Sequence, residues 1–142
     1  MAEPAIIQIT TATGSFGEAD ALAALLLDRR LAACVQVAGP VRSRYWWQGA
    51  QESATEWLCV VKTTAELADG AIAAIAAAHS YEVPEVVATP VVAGHPAYLA
   101  WVAAQATGEP ASLSPMTPTH DTLIDDTSTD DTSTDDASRE TS

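Results

Sequence analysis

Apolar and polar positions along this chain switch repeatedly between the two-residue period of a strand and the 3.6-residue period of a helix. Ala5 to Thr11 is a β-branched apolar run that reads as a buried strand, and Thr13-Gly14-Ser15 breaks it. Ser15 with Glu18 forms a capping box, and the helix it opens carries Ala19, Leu22, Ala23, Leu26 and Leu27 on one face to about Arg30. Ala33 to Val41 and Val41 to Trp47 read as one long strand, interrupted at Gly39-Pro40. Gln48-Gly49-Ala50-Gln51 then reads as a hairpin turn into a partner strand, Glu52 to Thr63. Thr63 and Glu66 mark a second capping box, followed by an alanine-rich helix over Ala71 to Ala78. Val83 to Val92 is a fourth strand, and Pro96 to Gln105 a last helix with proline at its start.

The order β, α, β, β, α, β plus a terminal helix predicts an α+β fold of the ferredoxin-like, split βαβ type, an antiparallel sheet with two helices on one face. The second and third strands are the longest. Their hairpin, with Tyr45, Trp46, Trp47 and Trp57, should project beyond the domain and leave aromatic surface that another copy covers. An oligomer follows as the expectation.

Charge divides the chain. Residues 1–105 hold ten acidic and five basic side chains, about −5, whereas residues 106–142 hold nine acidic side chains and only Arg139, about −8. The first part is expected to be the folded domain. The second is Pro, Ser, Thr and Asp with Asp-Asp-Thr-Ser-Thr at 125–129 repeated at 130–134, too polar to offset roughly 1–2 kcal/mol of backbone entropy per ordered residue. It is expected to be a disordered, solvating tail. An acidic body without clustered Lys and Arg argues against nucleic acid. No apolar run approaches membrane-spanning length and Met-Ala-Glu-Pro lacks a basic leader, so the expected location is cytoplasmic. Cys34 and Cys59 lie in strand-like runs without Cys-x-x-Cys spacing, as small buried thiols do.

The densest chemistry is His79-Ser-Tyr-Glu-Val-Pro-Glu85, which places an imidazole, a phenol and two carboxylates between a helix and a strand. Structural readings compete with functional ones here: Tyr81 also suits a core edge, and a histidine at a helix C-terminus is favoured by the dipole alone. His95 lies in a Gly-His-Pro turn and His120 in the tail, and neither adds a site.

Five motifs in order, Arg30-Leu-Ala-Ala-Cys-Val35, Tyr45-Trp-Trp-Gln-Gly49, Lys62-Thr-Thr64, His79-Ser-Tyr-Glu-Val-Pro-Glu85 and Tyr98-Leu-Ala-Trp101, resemble the CutA divalent-cation tolerance proteins over residues 5–105. The resemblance implies a ferredoxin-like domain in a tight homotrimer with PII-like architecture, and a role in tolerance of copper and other divalent cations with no firmly attached reaction. Its shared pocket, near the subunit contact, maps onto Cys34, Trp47, Glu56, Lys62, His79, Tyr81 and Glu85. Glu56 and Lys62 share a strand face by period two, which suits either a structural ion pair or the frame of a small ligand. His79 is the candidate ligand for Cu²⁺ or another divalent cation, with Cys34, Glu82 or Glu85 as co-ligands. Thr10 and Ala78 stand where some members have a cysteine and a second histidine. Ser80 replaces the usual proline, a change expected to loosen the turn. Gln48 and Ala50 replace a common Glu and Lys, removing charge from the hairpin tip.

The expectation is therefore a cytoplasmic, trimeric, non-enzymatic protein of divalent-cation homeostasis that holds a metal ion or small ligand between subunits. A PII-like signalling or assembly module that binds a small organic anion is the alternative, although no Gly-rich phosphate loop is present. Acylphosphatase chemistry, which this fold also hosts, needs an asparagine, and the chain has none.

Overall fold

In a computed structural model, which describes residues 5–110, the four strands are β1 (Ile6–Thr13), β2 (Cys34–Trp47), β3 (Ala50–Thr64) and β4 (Val86–Pro90). They form one antiparallel sheet in the order β2-β3-β1-β4, so the long hairpin has β3 inserted beside β1 and the shortest strand lies at the opposite edge. Helices α1 (Phe16–Asp28) and α2 (Ala68–Ala78) follow β1 and β3, and α3 (Pro96–Gln105) follows β4. This is the α+β, split βαβ arrangement expected from the pattern. The tail from residue 111 and His120 lie outside the described residues. Among the described residues no helix is long and apolar enough to cross a membrane.

The core forms where the apolar stripe of each helix meets one sheet face. Ile9, Cys59 and Val61 from the strands pack with Ala19, Leu22 and Leu26 of α1 and Ala71 and Ile75 of α2, all essentially buried. Ile6 points to the other face by the two-residue period, and there it packs with Leu99 and Val102 of α3. Thus α3 covers one end of the face that α1 and α2 leave open.

Local chemistry fixes the ends of these elements. Ser15 caps α1 by accepting the Glu18 N–H at 3.1 Å, but the Glu18 carboxylate does not complete the box and crosses instead to Ser80. At the other end Arg30 takes φ 57°, while Leu31 N–H donates to Leu26 and Arg30 N–H to Leu27, a Schellman motif with arginine in the left-handed position glycine usually fills. Its guanidinium donates to the Gln105 carbonyl at 3.1 Å and to the Gln105 side chain at 3.0 Å, and Gly108 N–H donates to the Arg30 carbonyl at 2.8 Å. The body therefore continues through Gly108.

Three boundaries differ from the expected ones. The second capping box is not made: Thr63 is fully buried and donates its hydroxyl to the Leu31 carbonyl at 2.7 Å, while a short 3-10 turn at Ala65–Leu67 leads into α2. Strand β4 is half the predicted length, because its pairing with β1 begins only at Thr11 opposite Val86 and ends at Ile7 opposite Pro90, whose nitrogen carries no proton. The hairpin loop is just Gln48-Gly49, with φ 52° and 83°, the two positive values of a type I′ turn.

Candidate functional site

Register places the chemistry. Opposed residues share a face, and the tight turn sets Tyr45 against Glu52 and Trp47 against Ala50. Between Ala38 and Val41 strand β2 holds one residue more than β3, a bulge containing Gly39-Pro40, so the arm beyond it turns Val41, Ser43, Tyr45 and Trp47 toward the face that carries Glu52 and Glu56. Pairing with β1 stops at Trp57, which leaves residues 50–56 of β3 supported only by β2. The loop after α2 flanks the root of this arm. Together they bound a cleft of about 790 Å³, lined by three aromatic rings (Tyr45, Trp47, Tyr81) and four carboxylates (Glu52, Glu56, Glu82, Glu85), with Arg44 the one cation among the described residues that line it.

Tyr81 ties the two sides of the cleft. Its hydroxyl donates to Glu56 Oε2 at 2.8 Å, and its ring lies over Gly14, where a β-carbon would come within 3.3 Å of the phenolic oxygen. Burial, then the Glu56 carboxylate, push the phenol up to about 12, so it stays a donor at any ordinary pH.

Beneath the cleft His79 closes α2. Its side chain is buried, Nε2 donates to the Ala12 carbonyl at 2.8 Å, and Nδ1 accepts from the Tyr81 N–H at 3.1 Å. A carbonyl only accepts, so this pattern assigns the proton to Nε2 and uses both nitrogens of a neutral ring. Glu18 Oε2 lies 3.5 Å from Nδ1 and accepts from Ser80 N–H at 2.8 Å, while Glu18 Oε1 accepts the Ser80 hydroxyl at 3.0 Å. Burial alone would raise the Glu18 carboxyl, but the two Ser80 hydrogen bonds, helped by the Gly14 N–H, outweigh it and hold the group below its usual range. Ser80 thus fastens the turn it was expected to loosen, through an N–H and a hydroxyl that proline lacks.

The candidate residues separate into three places. Trp47, Glu56, Tyr81, Glu82 and Glu85 share the cleft. His79 supports it from below without lining it. Cys34 and Lys62 oppose each other further along the same sheet face, where Lys62 Nζ donates to Gln36 Oε1 at 2.9 Å. Six residues of strand put Lys62 about 20 Å from Glu56, so the two make no ion pair. Tyr98, stacked on Trp101, sits beside Cys34, and burial followed by that thiol raises its phenol. Cys59 is fully buried, which pushes its thiol up to about 11 and leaves it unreactive. A metal ion does not fit at His79 as the ring stands, since coordination needs a nitrogen already engaged, and no three of His, Cys, Asp and Glu converge among the described residues. Glu52 belongs to the cleft although no motif contains it, and Tyr45, which opens the Tyr45-Trp-Trp-Gln-Gly49 motif, was expected at a subunit contact rather than in the pocket. Counting outward from a two-residue turn pairs them. Glu18 was hidden by its local role as a capping residue.

The CutA1 divalent ion tolerance protein model matches residues 6–105 of this chain. The chain belongs to the CutA1 family. The Archaeoglobus fulgidus divalent-cation tolerance protein CutA is 39% identical over 88 residues, 62% of this chain and 85% of that protein. Rice Protein CutA 1, chloroplastic, is 38% identical over 81 residues, and there the chain spans only 46% of the relative's length. Among solved structures, Thermus thermophilus CutA1 superposes with a TM-score of 0.69 at 34% identity, covering 70% of this chain and 97% of that one. CutA1 proteins thus share the ferredoxin-like, PII-like body described here, and the match stops at the residue where α3 ends.

Proposed function

We propose that the chain is a subunit of a trimeric divalent-cation tolerance protein that binds a cationic ligand, metal ion or small molecule, in the cleft at the root of its β-arm. The observation that carries the reading is the cleft's charge, four carboxylates against one guanidinium, beside aromatic rings that one copy leaves exposed. Such a field concentrates cations. It disfavours the alternative of a small organic anion. Trimerisation is supported by the arm itself, where Trp46 is 71% exposed and Trp47 50%, more apolar surface than a lone subunit usually presents. With His79 engaged, a neighbouring copy has to supply ligands for any inner-sphere metal. Binding rather than catalysis suits a site without an activated nucleophile. A reducing compartment such as the cytoplasm is part of the proposal and is supported by two free thiols.

Native mass spectrometry and Cu²⁺ and Zn²⁺ titrations of the full chain test it. Three subunits are expected, with metal affinity falling at least tenfold in a Glu56→Gln, Glu82→Gln double variant. A monomer, or metal binding indifferent to both substitutions, overturns the reading.

A further inference from the structure

The cleft is too long and too apolar to be explained by one small ion. Glu52 and Glu56 lie four residues apart on β3, about 13 Å along the strand, while Glu82 and Glu85 stand on the flanking loop. The carboxylates are distributed along a trough, and no three of them converge. Between them run the rings of Tyr45 and Trp47, two residues apart on one face of β2, with Tyr81 at the inner end. Tyr81 occupies one oxygen of Glu56, and Oε1 of that carboxylate has no hydrogen-bond partner among the described residues.

We propose that this trough takes a linear aliphatic di- or polyammonium ion, its ammonium groups on separate carboxylates and its methylene stems against the aromatic faces. The inference rests on the cleft being the ligand site proposed above and names its ligand class. Each component has a counterpart. Ammonium N–H groups donate to carboxylates, which a quaternary ammonium has no proton to do. Aromatic faces attract cations and cover alkyl chains, which gives a hydrated divalent metal little advantage. Arg44 at the rim opposes the ligand's charge and leaves an excess of three negative charges, matching a polyammonium better than a monoamine.

Isothermal titration of spermidine into the full chain, stripped of metal by a chelator that is then dialysed away, tests the assignment. Trp47→Ala should weaken binding about threefold to thirtyfold, Glu82→Gln should weaken it several-fold, and Mg²⁺ should compete only at much higher concentration than spermidine. If Trp47→Ala misfolds, Glu82→Gln, on an exposed loop, decides alone. No heat at millimolar spermidine, wild-type affinity in Glu82→Gln, or equal competition by Mg²⁺ overturns the proposal. Should spermidine fail while Cu²⁺ or Zn²⁺ still depends on Glu56 and Glu82, only the ligand class is wrong. Loss of both dependences removes the cleft as a site.

Discussion

Replacing His79 with alanine separates a supporting imidazole from a coordinating one. The substitution leaves the Ala12 carbonyl, on a residue only 4% exposed, without its ring donor, and frees the Tyr81 N–H that Nδ1 had accepted. An unsatisfied buried carbonyl costs about 1–3 kcal/mol, whereas the Tyr81 N–H, near the surface, recovers most of its bond from water. The space left by the imidazole adds about 1–2 kcal/mol. Total destabilisation should be roughly 2–5 kcal/mol, which lowers Tm by about 10 °C or more for a body of this size. Urea and thermal unfolding at matched subunit concentration, by far-UV circular dichroism, measure it. A loss below about 1 kcal/mol together with abolished Cu²⁺ binding would refute the reasoning, since the ring would then be kept for the metal rather than for the fold.

Other substitutions probe the same supports. Gly39→Ala should destabilise by about 1–3 kcal/mol in urea melts, because its β-carbon would lie 2.6 Å from the Trp57 ring in a packed core edge. For Glu18 the sign follows from a folded pKa below the ordinary carboxyl value of 4.5: its stabilisation is complete above that value and is lost as pH falls through the folded pKa. Glu18→Gln should therefore flatten the acid limb of the stability–pH curve and leave its alkaline limb unchanged. Tyr81→Phe should remove from an ultraviolet phenolate titration the component near 12, and the stability tied to that raised pKa is present below 10 and lost as pH climbs through about 12. Arg30→Gly relieves a left-handed strain of about 1 kcal/mol but breaks the clamp on Gln105, so hydrogen exchange should quicken in the last turn of α3 more than in α1.

The elements were legible because each carries an unambiguous period or a turn with only one solution. Pro96 at the first helical position sets α3 where expected, and the Gln48-Gly49 pair lies within the expected turn, which proves two residues shorter than read. Strand β4 was overestimated for the opposite reason, since Val83 to Val92 is apolar enough to be strand throughout but only the part opposite β1 finds a partner. The cleft was half visible. Trp47, Tyr81, Glu82 and Glu85 stand in motifs and Glu56 was implied by the resemblance, whereas Glu18 reaches Ser80 across 62 positions of chain and leaves no local trace. His79 was conspicuous as a potential ligand, and its burial on Ala12 and Tyr81 depends on tertiary contacts that spacing does not encode.

The extra residue in β2 at Ala38–Val41 governs more than curvature. Were the strand regular with every residue kept, the alternation set by Val35 and Val37 would carry Arg42, Arg44 and Trp46 onto the side of Glu52 and Glu56 and turn Tyr45 and Trp47 away. Arg42 would then join Arg44 against the trough's four carboxylates, and two of its three rings would be lost. Removing one of the two residues between Ala38 and Val41 would keep Val41 opposite Glu56 and the rings in place, so the bulge is what lets a strand one residue longer than its partner deliver aromatics rather than arginines to the acidic side.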